Sequence, residues 1–162
     1  MPNVFPDDIL AAIRRLRSDV ETISITVNGD GAGTGLLART SATKTTGSLA
    51  DGGQELGTVT LAKTWMLTKV VADRACRIRL YVSTGHQAAD AARGFGVDPA
   101  GDGGCMFDAR LPSTTLTWHC VPNITSSDDD PTIRDWIPVT IDNQSGSTST
   151  VSVTFTFFAL EA

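Results

Sequence analysis

Hydrophobic residues recur first at helical spacing and then, further along the chain, at every second position. Between Asp7 and Ile23 the apolar side chains are separated by four, three, four and three residues, which predicts a short helix with an apolar stripe. The residues of the stripe are Ile9, Ile13, Leu16, Val20 and Ile23. A helix of about 16 residues is marginally stable alone in water, so the stripe needs a partner surface.

Two partners for this stripe follow from its composition. A seam made mainly of isoleucine favours coiled coils of more than two strands, which predicts a homotrimer. The helix could instead pack on its own domain, because surface helices of globular proteins carry the same kind of stripe. We expect residues 1–27, the helix and a short strand after it, to form an oligomerisation segment.

From residue 58 onward the pattern has period two. Strands are expected within residues 58–71, 76–83, 116–121, 136–143 and 151–160. No helical pattern after residue 27 joins them, so we expect an antiparallel, jelly-roll-like β-sandwich over residues 58–162. Its inner faces would include Leu67, Ile78, Leu80, Trp118, Cys120, Val139, Ile141, Val153, Phe155 and Phe157. Pro138 predicts an edge position or a bulge for its strand.

Two segments have the composition of connections. Residues 28–57 hold eight of the fifteen glycines, with serine, threonine and alanine between them, which predicts an arm or linker. Residues 83–108 join two of the expected strands and contain few large apolar side chains. Long connections of this kind carry recognition more often than packing.

Composition narrows the function classes. The chain has 162 residues and a net charge of -5, and its thirteen lysines and arginines are scattered. This argues against nucleic acid as a partner, since phosphate binding needs clustered cations. The start of the sequence does not have the pattern of a secretion signal, and no apolar run is long enough for membrane insertion. We expect one domain with an appendage.

No complete catalytic constellation is visible. Cys105 and His86, with Asp90 or Asp108 as orienter, could form a nucleophile and base only if the fold brought them together. The acidic residues match no calcium loop, and the three cysteines have no zinc spacing. We expect no enzyme, no cofactor and no metal, with buried thiols.

Ligand binding remains an open alternative. Sugars stack on exposed aromatic rings beside polar groups, for which three aromatic residues and three polar residues of the long connection are candidates. The candidate residues are Trp65, Tyr81, Trp136, His86, Asp90 and Arg93.

Four segments resemble those of bacteriophage virion proteins, in tail-fibre, head-fibre and spike-like components. They are residues 77–84, 88–93, 97–104 together with 107–108, and 138–157, and the resemblance covers about half the chain, from Trp65 onward. It implies a structural or adhesive protein located on the virion, with other virion proteins and a cell-surface glycan as candidate partners. It also implies that Asp90 and Arg93 organise the long connection, since opposite charges three residues apart can hold a segment. The alternative is a monomeric, free-standing carbohydrate-binding module.

Overall fold

Eight β-strands and one short helix form the described part of the chain. The structure is a computed structural model and describes residues 38–99, 104–127, 132 and 134–160. The strands are β1 (Arg39–Thr45), β2 (Gln54–Thr60), β3 (Thr64–Ala72), β4 (Cys76–Tyr81), β5 (Cys105–Leu111), β6 (Thr117–Ser127), β7 (Trp136–Asn143) and β8 (Ser152–Ala159), and helix α1 (Thr84–Ala89) follows β4. The expected coiled-coil helix, with Ile9, Ile13, Leu16, Val20 and Ile23, lies outside the described residues.

The strands form two four-stranded antiparallel sheets packed as a sandwich. The first sheet has the order β1-β8-β3-β6 and the second sheet the order β2-β7-β4-β5. All neighbouring strands pair antiparallel. The chain crosses between the sheets after almost every strand, so only β4 and β5 are neighbours both in sequence and in one sheet. The prediction of an antiparallel β-sandwich is confirmed.

The core lies between the sheets and follows the period-two pattern. Nine of the ten predicted inner-face residues are buried, among them Ile78, Ile141 and Phe155. The tenth, Trp118, lies on edge strand β6 and is 44% exposed. Its ring packs edge-on against Phe107 of β5, with the ring centroids 6.4 Å apart. A position at the sheet edge therefore explains why Trp118 is only partly covered.

The prediction of an arm or linker over residues 28–57 is wrong for residues 38–57, which are the described part of that range. Residues 39–45 form β1, and β2 begins at Gln54, so the sandwich begins before residue 58. Polar side-chain pairs hold β1 to its neighbour β8: Thr43 with Thr154 and Thr45 with Ser152, each 2.9 Å between oxygens. Lys44 also pairs with Glu55 of β2 in the other sheet, 2.8 Å. Such cross-strand pairs stabilise a sheet without apolar residues, which is why a serine- and threonine-rich segment can be a strand.

Helix α1 lies where a connection without helix was expected. Ser83 caps it by accepting a hydrogen bond from the backbone N–H of His86, 3.3 Å. The buried Gln87 side chain donates to the carbonyl oxygens of Gly57, 3.1 Å, and Val139, 2.8 Å. These bonds fasten the helix to β2 and β7, whereas a six-residue helix is too short to show an apolar period in sequence.

The prediction for Pro138 is also wrong. Strand β7 is central, between β2 and β4, and Pro138 pairs with Thr58 of β2 without a register shift. Pairing between β7 and β4 ends one residue away, at Val139 opposite Leu80. A proline is tolerated here because the ladder to β4 has already ended.

Asn143, at the end of β7, joins two turns beside the second sheet. Its buried amide donates to the carbonyl oxygens of Leu49, Ala50 and Ser147 at 2.8 to 3.2 Å. Its Oδ1 accepts from the backbone N–H of Ser145, 3.0 Å. The connection before β2 and the connection before β8 are thereby fixed to each other, which holds the rim of the sheet in place.

Candidate functional site

The outer face of the second sheet is covered by the segment that follows β4. Arg77, Arg79 and Tyr81 alternate with the core residues of β4 and point outward, as the pattern predicts, but none is more than 2% exposed. We call residues 83–99 the covering segment, and it contacts all three side chains. Because burying a guanidinium without a partner costs several kcal/mol, this cover requires carboxylates close to the arginines.

Asp108 of β5 supplies the first carboxylate. Arg77 Nε donates to Asp108 Oδ1, 2.9 Å, and Arg77 Nη2 donates to Asp108 Oδ2, 2.7 Å. This two-bond geometry is the strongest that an arginine and a carboxylate form. The remaining Arg77 nitrogen donates to the carbonyl oxygen of Arg93, 3.2 Å, so the same guanidinium reaches both the neighbouring strand and the covering segment.

Arg79 links three parts of the molecule. Its Nη2 donates to Asp142 Oδ1 of β7, 3.0 Å, and to Gln54 Oε1 of β2, 2.8 Å. Its Nη1 donates to the carbonyl oxygen of Asp90 in the covering segment, 3.1 Å. Gln54 in turn donates to the carbonyl oxygen of Ala91, 2.8 Å. Arg79 and Gln54 together therefore fix the backbone at Asp90 and Ala91 over the sheet.

Asp90 is the acidic residue by which the segment is held. Arg93 Nε donates to its Oδ1, 2.6 Å, and the Tyr81 hydroxyl donates to its Oδ2, 2.7 Å. Arg93 also donates to Asp108 Oδ2, 2.8 Å, and to the carbonyl oxygen of Val97, 2.8 Å. The implied role of Asp90 and Arg93 as organisers of the connection is supported by this geometry.

We call this network the clasp. It comprises Arg77, Arg79, Tyr81, Asp90, Arg93, Asp108 and Asp142. Three arginines face three aspartates, so the buried charges compensate each other. Burial by itself raises the pKa values of Asp90 and Asp108, but the hydrogen bonds and charges of the clasp outweigh burial, and both pKa values lie below the usual range. Burial and the adjacent Asp90 carboxylate raise the pKa of Tyr81.

The six predicted ligand residues do not form one site. Trp65 is 1% exposed and belongs to the core, and Tyr81 is buried in the clasp, so neither offers a ring to a ligand. Trp136 is partly buried and its ring lies 4.2 Å from the guanidinium carbon of Arg134. The fold does unite Tyr81, Asp90 and Arg93, but their polar atoms bind one another.

His86 and Cys105 have separate partners. His86 Nδ1 shares a hydrogen bond with Ser83 Oγ, 2.8 Å. Cys105 Sγ donates to the carbonyl oxygen of Phe107, 3.4 Å, and accepts from Arg93, 3.6 Å. Burial and the charge of Asp108 raise the pKa of the Cys105 thiol, which is the reverse of what activates a nucleophile.

The other two cysteines belong to the hydrophobic core. Cys76 and Cys120 are free and buried, as expected, and burial raises their pKa values to about 12 and about 11. The described part of the chain contains no cluster of three or more histidine, cysteine, aspartate or glutamate residues that could hold a metal ion. Nor does any helix in it have the length and apolar character needed to cross a membrane.

Sequence reasoning missed Phe95, which lies on the outside of the covering segment. Its side chain is 59% exposed, and its ring centroid lies 5.6 Å from the guanidinium carbon of Arg77 and 4.9 Å from that of Arg110. A cleft lies on each side of it, of about 340 Å³ toward β5 and about 530 Å³ toward β2 and β7. A bulky aromatic residue between Gly94 and Gly96 was the available signal.

The described chain is thus a two-sheet β-sandwich with a polar segment clasped over one outer face. No protein-family model matches it, and no curated protein matches it. Among solved structures it is similar to the solution NMR structure of a de novo designed double-stranded β-helix, with 9% identity and a TM-score of 0.30. That alignment covers 74% of this chain and 97% of the designed chain.

Removing the Asp90 carboxylate is expected to destabilise the protein. Asp90→Ala removes the acceptor of the Tyr81 hydroxyl and of Arg93 Nε, and it removes the negative charge 3.5 Å from Arg79 Nη1. Taking one partner from such a buried set costs about 3–5 kcal/mol in the free energy of unfolding. Urea denaturation measures this cost, and hydrogen exchange should accelerate in residues 84–97. Arg74→Ala, which breaks an exposed ion pair with Asp73, should cost less than about 1 kcal/mol. Equal losses in the two variants would contradict the role of the clasp.

The clasp also predicts sensitivity to acid. Since folding lowers the pKa values of Asp90 and Asp108, the unfolded chain binds more protons in acid. The two carboxylates contribute fully to stability above their pKa values in the unfolded chain, which are about 4. This contribution is lost as the pH falls through their lower pKa values in the folded protein. The free energy of unfolding should therefore drop from about pH 5 to about pH 2. Asp90→Asn should show a shallower slope, and parallel slopes would count against the assignment.

Proposed function

We propose that this chain is a non-enzymatic structural and adhesive component of a phage or phage-like virion, such as a fibre, spike or decoration protein. The observation that carries the proposal is the strand order, β1-β8-β3-β6 over β2-β7-β4-β5. We infer from this order an eight-stranded jelly roll, an architecture common in viral capsid and lectin domains. Because a fold hosts many functions, this support is an analogy, and the resemblance of the four segments between residues 77 and 157 adds to it.

The clasp supports the adhesive part of the proposal. It orders residues 83–99 by charge pairing and leaves Phe95 outside on a fixed backbone. A preordered surface loses little conformational entropy on binding. Three copies on one N-terminal coiled coil would turn weak contacts with a glycan or with other virion proteins into firm attachment.

A monomeric, free-standing carbohydrate-binding module is the second candidate. The exposed ring of Phe95 beside two clefts favours it, since sugar sites combine an aromatic face with nearby polar groups. It differs from the first candidate in the role of residues 1–27, which would pack on the sandwich of the same chain. The oligomeric mass separates the two.

We expect light scattering to give three times the mass of one chain. Replacing two seam residues, Ile13→Asp and Val20→Asp, should reduce the mass to that of one chain, because charges in an isoleucine seam cannot be buried. The matched control is Arg14→Asp with Ser18→Asp, which adds charge beside the seam and should leave a trimer. A wild-type protein that is monomeric at every concentration would favour the second candidate.

Association with particles tests the virion assignment itself. Particles purified from a strain that carries the coding sequence should contain the chain by peptide mass spectrometry. Antibodies against the sandwich should label intact particles by electron microscopy, since the proposal places the sandwich outside. Detection of the chain only in the cell fraction would overturn the virion assignment, whatever its oligomeric state.

A further inference from the structure

The larger cleft beside Phe95 has the dimensions of a small-ligand site. Its volume is about 530 Å³, within the range of clefts that hold small molecules. It lies between the turn before β2, the covering segment and the end of β7. Five of its eleven lining residues are small, which leaves room over the backbone: Gly52, Gly53, Ala91, Ala92 and Gly94. The larger side chains around it are Gln54, Arg77, Arg93, Phe95, Asp142 and Gln144.

Gln144 contributes a polar atom with no partner. Its Oε1 is buried and accepts no hydrogen bond from any described residue. A buried acceptor without a donor costs about 1–3 kcal/mol, so a turn of the amide toward a donor would be favourable. Gln144 as a residue is only partly buried and lines the cleft, so such a turn would bring Oε1 to a donor bound there.

Asp142 offers a second acceptor in the same cleft. Its Oδ1 accepts from Arg79, whereas its Oδ2 has no hydrogen-bond donor among the described residues and lies 4.0 Å from Arg77 Nη1. Two acceptors, an amide oxygen and a carboxylate oxygen, therefore line the cleft. Both match ligand hydroxyl groups, which donate one hydrogen bond each.

The charges around the cleft argue against an anionic ligand. Both arginines that line it are already paired, Arg77 with Asp108 and Arg93 with Asp90 and Asp108. No guanidinium is left over for a carboxylate or phosphate, and Asp142 would repel one. A neutral ligand rich in hydroxyl groups fits the cleft, with Phe95 as the apolar wall.

We propose that this cleft binds a neutral sugar residue. Its hydroxyl groups donate to Gln144 Oε1 and Asp142 Oδ2, and the apolar face of its ring packs against the part of Phe95 that Arg77 and Arg110 leave exposed. The proposal rests on the adhesive part of the proposed function and names its ligand class. It also transfers glycan recognition from Trp65, Tyr81 and Trp136 to Phe95, Asp142 and Gln144.

The test uses the full-length protein on an array of neutral and acidic oligosaccharides, followed by titration calorimetry with the best neutral glycan. Phe95→Ala should weaken binding about tenfold, and Phe95→Leu should weaken it too, since leucine keeps apolar bulk without a flat face. Gln144→Met removes the acceptor at similar length and should weaken binding about fivefold. Gln144→Glu keeps an acceptor oxygen and should bind more tightly than Gln144→Met.

Two exposed residues outside this cleft provide matched controls. Val97→Ala alters only the smaller cleft, and Trp118→Ala removes an exposed aromatic ring from β6. Both variants should bind as the wild type does. The proposal is overturned if no neutral glycan binds at millimolar concentration, if only acidic glycans bind, or if the controls lose as much affinity as Phe95→Ala and Gln144→Met.

This outcome is separable from that of the proposed function. If purified particles contain the chain but no glycan on the array binds it, the sugar site is overturned and the virion assignment is left intact. Binding that depends on Phe95 and Gln144, in a chain missing from particles, keeps the sugar site and removes the virion assignment.

Discussion

The burial of two arginines on one strand is the constraint on which the second sheet depends. Arg77 and Arg79 leave water together, and the attraction of nearby carboxylates must offset a desolvation cost of several kcal/mol per ion. Asp90, Asp108 and Asp142 meet this requirement, with Arg93 balancing the third negative charge. The covering segment is thus ordered by charge pairing, although it has few apolar residues to bury.

Placement by charge pairing has a consequence for the surface. A segment held by apolar burial would turn its aromatic residue inward, whereas here the backbone is fixed by hydrogen bonds at Asp90, Ala91 and Val97. Phe95 is free to lie outside. Directional bonds also fix one geometry more narrowly than apolar contact does, and the clefts on both sides of the ring take their shape from that geometry.

The sequence predicted the strands of the two sheets better than it predicted the contacts of the clasp. Alternation placed Ile78 inward and Arg79 outward and located β7 at residues 136–143, because side-chain direction in a strand is a local property. Alternation does not say what covers an outward face: Arg79 meets Gln54 and Asp142, which are 25 and 63 residues away in sequence. Only the pair of Asp90 and Arg93, three residues apart, was visible beforehand. β1 was missed because it is held by hydroxyl pairs rather than by apolar residues.

The same reasoning explains why Phe95 and Gln144 went unnoticed as a possible pair. They are separated by almost 50 residues and meet at one cleft only because the clasp brings the segment after β4 over β7. A site built from one ring and two acceptors binds a single sugar weakly, since each hydrogen bond exchanged with water adds only about 1 kcal/mol. The proposed trimer would compensate for this weakness, because linked copies multiply avidity without any new contact. In that proposal, rigid display and oligomerisation would act together, and the clasp provides the rigid backbone.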